Sequence, residues 1–134
     1  MMKNFSLSIP TRLVFGVGEL KRLAKQPLPG KKALVVISSG TSMKNFGYLD
    51  TVIAQLKEAG VDSVVFDKIQ PNPCKAHVAE GAELCKADGC DFVLGLGGGS
   101  SIDTAKAIAV VVAMGGELWD YVSGGHGKSM PVTK

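Results

Sequence analysis

Three short apolar runs end near Ile37, Phe66 and Leu96, a recurrence of about 30 residues that matches one strand–helix–strand unit. The segments between them have helical spacing. "YLDTVIAQLKEAG" places Leu49, Val52, Ile53 and Leu56 on one face, and Gly60 is a natural stop. "NPCKAHVAEGAELCKADG" turns Val78, Ala82 and Cys85 inward and closes at Gly89; a third helix is expected over Ser101–Met114. This rhythm builds a parallel sheet with helices on both sides. "KKALVVIS" lacks polar alternation, as a strand covered on both faces should. The expected fold class is therefore α/β and Rossmann-like. Ahead of it, "NFSLSIP" alternates Phe5, Leu7 and Ile9 with polar residues, and "RLVFG" follows; together they predict a short N-terminal β pair. A short helix around Gly18–Lys25, with Leu20, Leu23 and Ala24 inward, should come next.

At 134 residues, the chain suits one domain, residues 1–134. The net charge of +3 comes from 15 basic and 12 acidic residues with the lysines scattered, so no nucleic-acid partner is expected. The longest apolar run, Ala107 to Met114, is far shorter than the ~20 residues of a membrane span, so no membrane partner is expected either. Cys74, Cys85 and Cys90 have no CxxC spacing, and a reducing cytoplasm is the expected setting. That apolar run also makes the third helix apolar all round. Such a helix wants burial on every side, so a further domain or another subunit is expected against it.

The chemistry concentrates in "FVLGLGGGSSIDTAKAIAV", Phe92 to Val110. No lysine follows the glycines as a Walker loop requires, and Ser100 stands where the dinucleotide fingerprint needs its third glycine. The physics of both motifs still applies. Gly97, Gly98 and Gly99 lack side chains and lead into a helix N-terminus, so backbone amides there can hold a pyrophosphate. The cluster also follows a parallel strand, where open α/β sheets bind ligands. A purely structural alternative has Ser100 as helix cap, Asp103 completing a capping box and Lys106 pairing with Asp103. It does not account for three consecutive glycines, which are entropically costly to order.

The stretches "LVFGVGEL", "PNP", "GGGSSIDTAKAIAV" and "LWDYVSGG", in this order, resemble the iron-containing (group III) alcohol dehydrogenases. The resemblance implies the N-terminal, dehydroquinate synthase-like domain of a two-domain enzyme that transfers hydride between NAD or NADP and an alcohol or aldehyde. It implies that Gly97, Gly98, Gly99, Ser100 and Ser101 hold the pyrophosphate, with Asp103 near the nicotinamide side and supported by Lys106. Asn72 would reach the cofactor from its loop, although Asn72 as helix cap before Pro73 explains the same residues equally well. Ser38, Ser39 and Gly40, with Thr41, follow the first parallel strand without a carboxylate. They leave room for a 2′-phosphate that Lys44 can pair with, so NADP(H) is expected to be accepted, although a plain polar turn explains the same residues equally well.

The family's metal, iron or in some relatives zinc, belongs to a C-terminal helical domain. His77 and His126 share no metal-ligand spacing, and the chain ends at "MPVTK", so this sequence is expected to be the cofactor half alone. No catalytic or metal residue is expected in this chain. Without the metal half it should not turn over alcohol, while the full-length parent is expected to be a homo-oligomer. Two other readings compete: a related glycerol dehydrogenase or dehydroquinate synthase, and a stand-alone nucleotide-binding module without catalysis.

Overall fold

A computed structural model describes residues 8–72, 74–124 and 127–132. The expected rhythm is present. Strands β1 (Lys32–Ser38), β2 (Asp62–Ile69) and β3 (Phe92–Gly95) form a parallel sheet in the order β2-β1-β3. Helices α1 (Ser42–Asn45) and α2 (Tyr48–Glu58) connect β1 to β2. Helix α3 (Lys75–Ala87) connects β2 to β3; α4 (Gly99–Met114) and the short α5 (Leu118–Tyr121) follow.

The central strand explains the layering. Leu34 and Val36 of β1 pack with Phe66, Val78, Ala82, Cys85, Ala105 and Ile108, so α3 and α4 cover one face. Ala33, Val35 and Ile37 point the other way, to Leu49, Val52 and Leu56 of α2. Side-chain alternation is intact in β1, but both faces are buried, which is why its sequence reads as an unbroken apolar run. Gly81 and Gly95 mark close approaches. A Cβ on Gly81 would lie 2.4 Å from Ile108 Cδ1, and one on Gly95 3.0 Å from Ala105 Cβ, so α4 sits tightly on both α3 and β3. The outward side of α4 stays open: Ile102 is exposed and Ala109, Val110 and Val112 are half-buried.

Two expectations are corrected and one is refined. Residues 8–15 adopt no regular structure, and Leu13 and Phe15 are 85% and 94% exposed, so "RLVFG" is not a strand. Most of its proposed partner "NFSLSIP" lies outside the described residues. No strand flanks this segment among the described residues, and alternation alone cannot supply the missing hydrogen bonds. The helix after Gly18 is a 3-10 helix, Glu19–Lys25, with Leu20 and Leu23 half-buried against the α2 layer. Helix α3 starts at Lys75 behind Cys74, not behind Asn72, which has a left-handed φ of 58°.

Asp91 ties the approaches to two strands together. Its carboxylate accepts the backbone N–H groups of Lys31 and Lys32, each at 2.7 Å. The Lys31 amide is the main cause that holds Asp91 below the ordinary carboxylate range, with the Lys32 amide adding to it. A carboxyl whose pKa is lowered by folding stabilises the fold above its unfolded pKa, and that stability is lost as pH falls through the folded value. The urea midpoint of the wild-type chain should therefore drop between about pH 5 and about pH 2. Asp91→Asn should start from a lower midpoint at neutral pH and show a shallower acid drop. Equal acid slopes in the two proteins would show that Asp91 contributes nothing through its charge.

Candidate functional site

The carboxyl ends of the strands carry an open cleft of about 420 Å³. Its walls are Ser38, Ser39 and Gly40 from the end of β1, Ile69 and Pro71 from the end of β2, and Gly98, Gly99, Ser100 and Ser101 from the start of α4. The sequence singled out seven of these nine residues. It missed Ile69 and Pro71, whose only signal was a strand end meeting a proline loop.

The three glycines are not equivalent. Gly97 has φ 137°, and a Cβ there would lie 3.0 Å from Ser101 Oγ, so the fold itself requires glycine. Gly98 and Gly99 do not share that constraint. Neither has positive φ, and a Cβ on either would meet no heavy atom within 4 Å. Such side chains would project into open space rather than into protein. Glycine is acceptable at the Gly98 cap and costs helix propensity at Gly99, but neither φ nor packing requires it at either position. What it leaves is room beside the first backbone amides of α4.

Helix α4 starts earlier than the sequence suggested. Gly98 is the cap, and its carbonyl accepts the N–H groups of Ser101 and Ile102, both at 3.1 Å. Ser100 therefore lies inside the first turn, which removes it as a side-chain cap and removes the capping box with Asp103. The earlier start puts the Gly99 and Ser100 amides among the helix donors that have no intrahelical acceptor, on the cleft wall. Ser101 is buried beneath the glycine turn, and Thr104 Oγ1 donates to the Ser100 carbonyl at 2.7 Å, which holds the turn from below. Free amides at the start of a 16-residue helix, with the helix dipole behind them, are the kind of arrangement that can hold an anion.

Asp103 and Lys106 are further along α4. They pair at 3.7 Å on an exposed surface, as the i, i+3 spacing suggested. Asp103 does not line the glycine cleft. It lines a second, mostly apolar hollow of about 500 Å³ with Cys74, Thr104 and Trp119, among others, between α3, α4 and α5. Asn72 is exposed and follows Pro71 of the cleft wall without itself lining it.

Lys44, offered by the sequence to a 2′-phosphate, is engaged elsewhere: its Nζ donates to Asp67 Oδ2 at 2.6 Å. This contact is the largest cause holding the Asp67 carboxyl below its usual range. Cys85 is buried in the α3–α4 core, and desolvation pushes its thiol up to about 11, which leaves it an inert packing group. Cys90 is half-buried against the same core. His77 lies in the first turn of α3, where its Nδ1 accepts the Cys74 backbone N–H at 3.3 Å; His126 lies outside the described residues. Among the described residues no three His, Cys, Asp or Glu side chains gather as metal ligands, so no step through a metal is derived from them. Likewise no described helix is long and apolar enough to cross a membrane.

Comparison with known proteins identifies the family. The sequence model of the family "Iron-containing alcohol dehydrogenase" matches residues 10–134. A probable NADH-dependent butanol dehydrogenase 1 of Bacillus subtilis (strain 168) is 40% identical over 125 residues, covering 93% of this chain and 32% of that protein. An NADPH-dependent butanol dehydrogenase of Clostridium saccharobutylicum is 41% identical over 107 residues, 80% of this chain and 26% of its own. The crystal structure of an archaeal halo-thermophilic Red Sea brine pool alcohol dehydrogenase superposes with a TM-score of 0.87 at 37% identity, covering 99% of this chain and 34% of that one. The chain thus spans about a third of the length of the first curated relatives it matches.

Proposed function

The chain belongs to the iron-containing alcohol dehydrogenase family, and on that premise we propose that residues 1–134 form the cofactor-binding domain of an NAD(P)-dependent alcohol dehydrogenase. The carrying observation is the pair Gly98 and Gly99, which line the cleft and where neither a positive φ nor a neighbouring atom requires glycine. The amides of Gly99 and Ser100 would bind the pyrophosphate, with Gly97 and Ser101 shaping the turn beneath. Ser38, Ser39 and Gly40 would line the adenosine side of the same cleft. Asp103, paired with Lys106, would border the nicotinamide side; it lies on the same helix as the cleft glycines and lines a second hollow with Trp119. Asn72 would reach the cofactor from the loop beyond Pro71.

When bound, the cofactor supplies or accepts a hydride at its nicotinamide ring, with a small alcohol or aldehyde as the other partner. The residues present do the holding and orienting. The metal chemistry of the family is assigned to none of them, and residues 1–134 alone should not turn over alcohol. The match to the alcohol dehydrogenase branch does not favour the glycerol dehydrogenase, dehydroquinate synthase or stand-alone module readings. Free thiols at Cys74, Cys85 and Cys90 suit a cytoplasmic setting.

Titration tests the reading. Trp119 is the single tryptophan, and it lines the hollow beside Asp103. Its emission should be quenched saturably by NADH, with energy transfer to the reduced nicotinamide and a Kd below roughly 1 mM, an affinity of about 4 kcal/mol. No saturation by either NADH or NADPH at millimolar concentration would overturn the proposal.

A further inference from the structure

The β1–β2 wall of the cleft contains an irregularity. Val36 pairs with Phe66 and Ser38 with Ile69, so Ile37 faces two residues of β2, Asp67 and Lys68. This is a β-bulge, a device that re-aims side chains at the rim of a sheet. Phe66 and Ile69 on either side both join the α3–α4 core. The two residues between them are charged, and each is paired: Lys68 with Glu80 of α3, and Asp67 with Lys44 of α1. The bulge thus directs a carboxylate to a cation on the segment that leaves β1.

Neither Lys44 nor Asp67 lines the cleft, and Asp67 lines a separate hollow with Lys68 and Glu80, but both residues are close in sequence to the cleft wall. Lys44 is four residues beyond Gly40, and Asp67 is two residues before Ile69; Gly40 and Ile69 both line the cleft. The Ser39 N–H donates to the Ile69 carbonyl at 2.7 Å, which fixes the two strand ends side by side. Met43, next to Lys44, comes within 4.0 Å of where a Gly97 Cβ would lie. With a pyrophosphate on the α4 start, the sheet order β2-β1-β3 runs the adenosine half over β1 towards β2. In dinucleotide sites of this kind, a carboxylate favours a free ribose 2′-hydroxyl and a cation accommodates a 2′-phosphate.

Resting on the cofactor reading above, we propose that the Lys44–Asp67 pair sets the preference at the 2′ position of the adenosine ribose. Paired, the two charges cancel: the ammonium is withheld from a 2′-phosphate and the carboxylate stands beside it. The wild-type chain should bind NADH at least as tightly as NADPH. This revises the expectation, drawn from the small residues after β1, that Lys44 is available to the phosphate.

The experiment titrates NADH and NADPH into the wild-type chain, Asp67→Asn and Lys44→Gln, with far-UV circular dichroism to confirm folding. Both side chains are about half exposed, so neither substitution should upset the core. Asp67→Asn frees the ammonium and should shift the affinity ratio towards NADPH by roughly tenfold, the scale of one charge-assisted contact. Lys44→Gln leaves the carboxylate unneutralised and should weaken NADPH while sparing NADH. If both variants bind NADH and keep the wild-type ratio within about twofold, well under the charge-assisted scale, the inference fails alone. A wild-type chain that binds neither nucleotide overturns the cofactor reading and this inference with it. Should Asp67→Asn fail to fold, the Lys44→Gln ratio decides the matter by itself.

Discussion

Gly98→Val should weaken nucleotide binding far more than it weakens the fold. Gly98 has φ −82° and ψ −171°, an extended backbone that valine adopts readily. A Cβ there meets nothing within 4 Å, so no neighbour has to move. Valine is a poorer helix cap than glycine, so the melting temperature should fall by no more than about 5 °C, the shift that a loss of about 1 kcal/mol produces in a domain of this size. Binding should behave differently. A phosphate oxygen must come within about 2.9 Å of an amide nitrogen to be held. The valine methyls would occupy the space through which it approaches the Gly99 and Ser100 amides. A loss of at least roughly 100-fold is expected, about 2.7 kcal/mol. Gly97→Val is the control with the opposite signature. Its positive φ and the Ser101 contact mean that it should destabilise the fold as well as the site. A Gly98→Val protein that binds NADH as wild type would show that the open glycines serve something other than the cofactor.

The second large effect lies in the core where α3 crosses α4. Gly81→Ala alone should destabilise by roughly 1–3 kcal/mol, because the new Cβ meets Ile108 Cδ1 at 2.4 Å and Phe66 Cε1 at 3.2 Å in a fully packed layer. Ile108 is completely buried, so it has little room to turn away. Ile108→Val alone should destabilise by about 0.5–1.5 kcal/mol through its lost methyl. The two losses should not add. Ile108→Val removes the Cδ1 atom that Gly81→Ala strikes, and alanine restores about 1 kcal/mol of helix propensity to α3. The double variant should therefore approach the stability of Ile108→Val alone, with a favourable coupling of at least 0.5 kcal/mol on the scale of contacting residues. Additive urea-midpoint shifts would mean that the helices separate to admit the methyl.

The sheet and its helices were legible because burial imposes periods. Leu49, Val52 and Leu56 repeat at helical spacing because one face of α2 is dry, and β1 reads as apolar throughout because both of its faces are. The start of α4 was less legible because a glycine cap has no side chain to announce it, and Ser100 offered a more familiar cap two residues too late. The N-terminal β pair failed for a related reason: alternation records which residues are apolar, not whether a partner strand is present to receive them. Most of the cleft could be read because its residues sit where strands meet helices. The Lys44–Asp67 pair could not. Its members are 23 residues apart and meet only through a bulge, an irregularity with no sequence period. The split of the glycine triplet into one structural and two open positions likewise depends on φ angles and empty space.

Amide chemical shifts of the isotopically labelled chain, followed during an NADH titration, test the central claim most directly. The account predicts saturable shifts concentrated at Ser39, Gly40 and Gly97 through Ser101, the amides that line or shape the cleft at the carboxyl ends of β1 and β3. Saturable shifts that leave Gly98, Gly99 and Ser100 unmoved would contradict it.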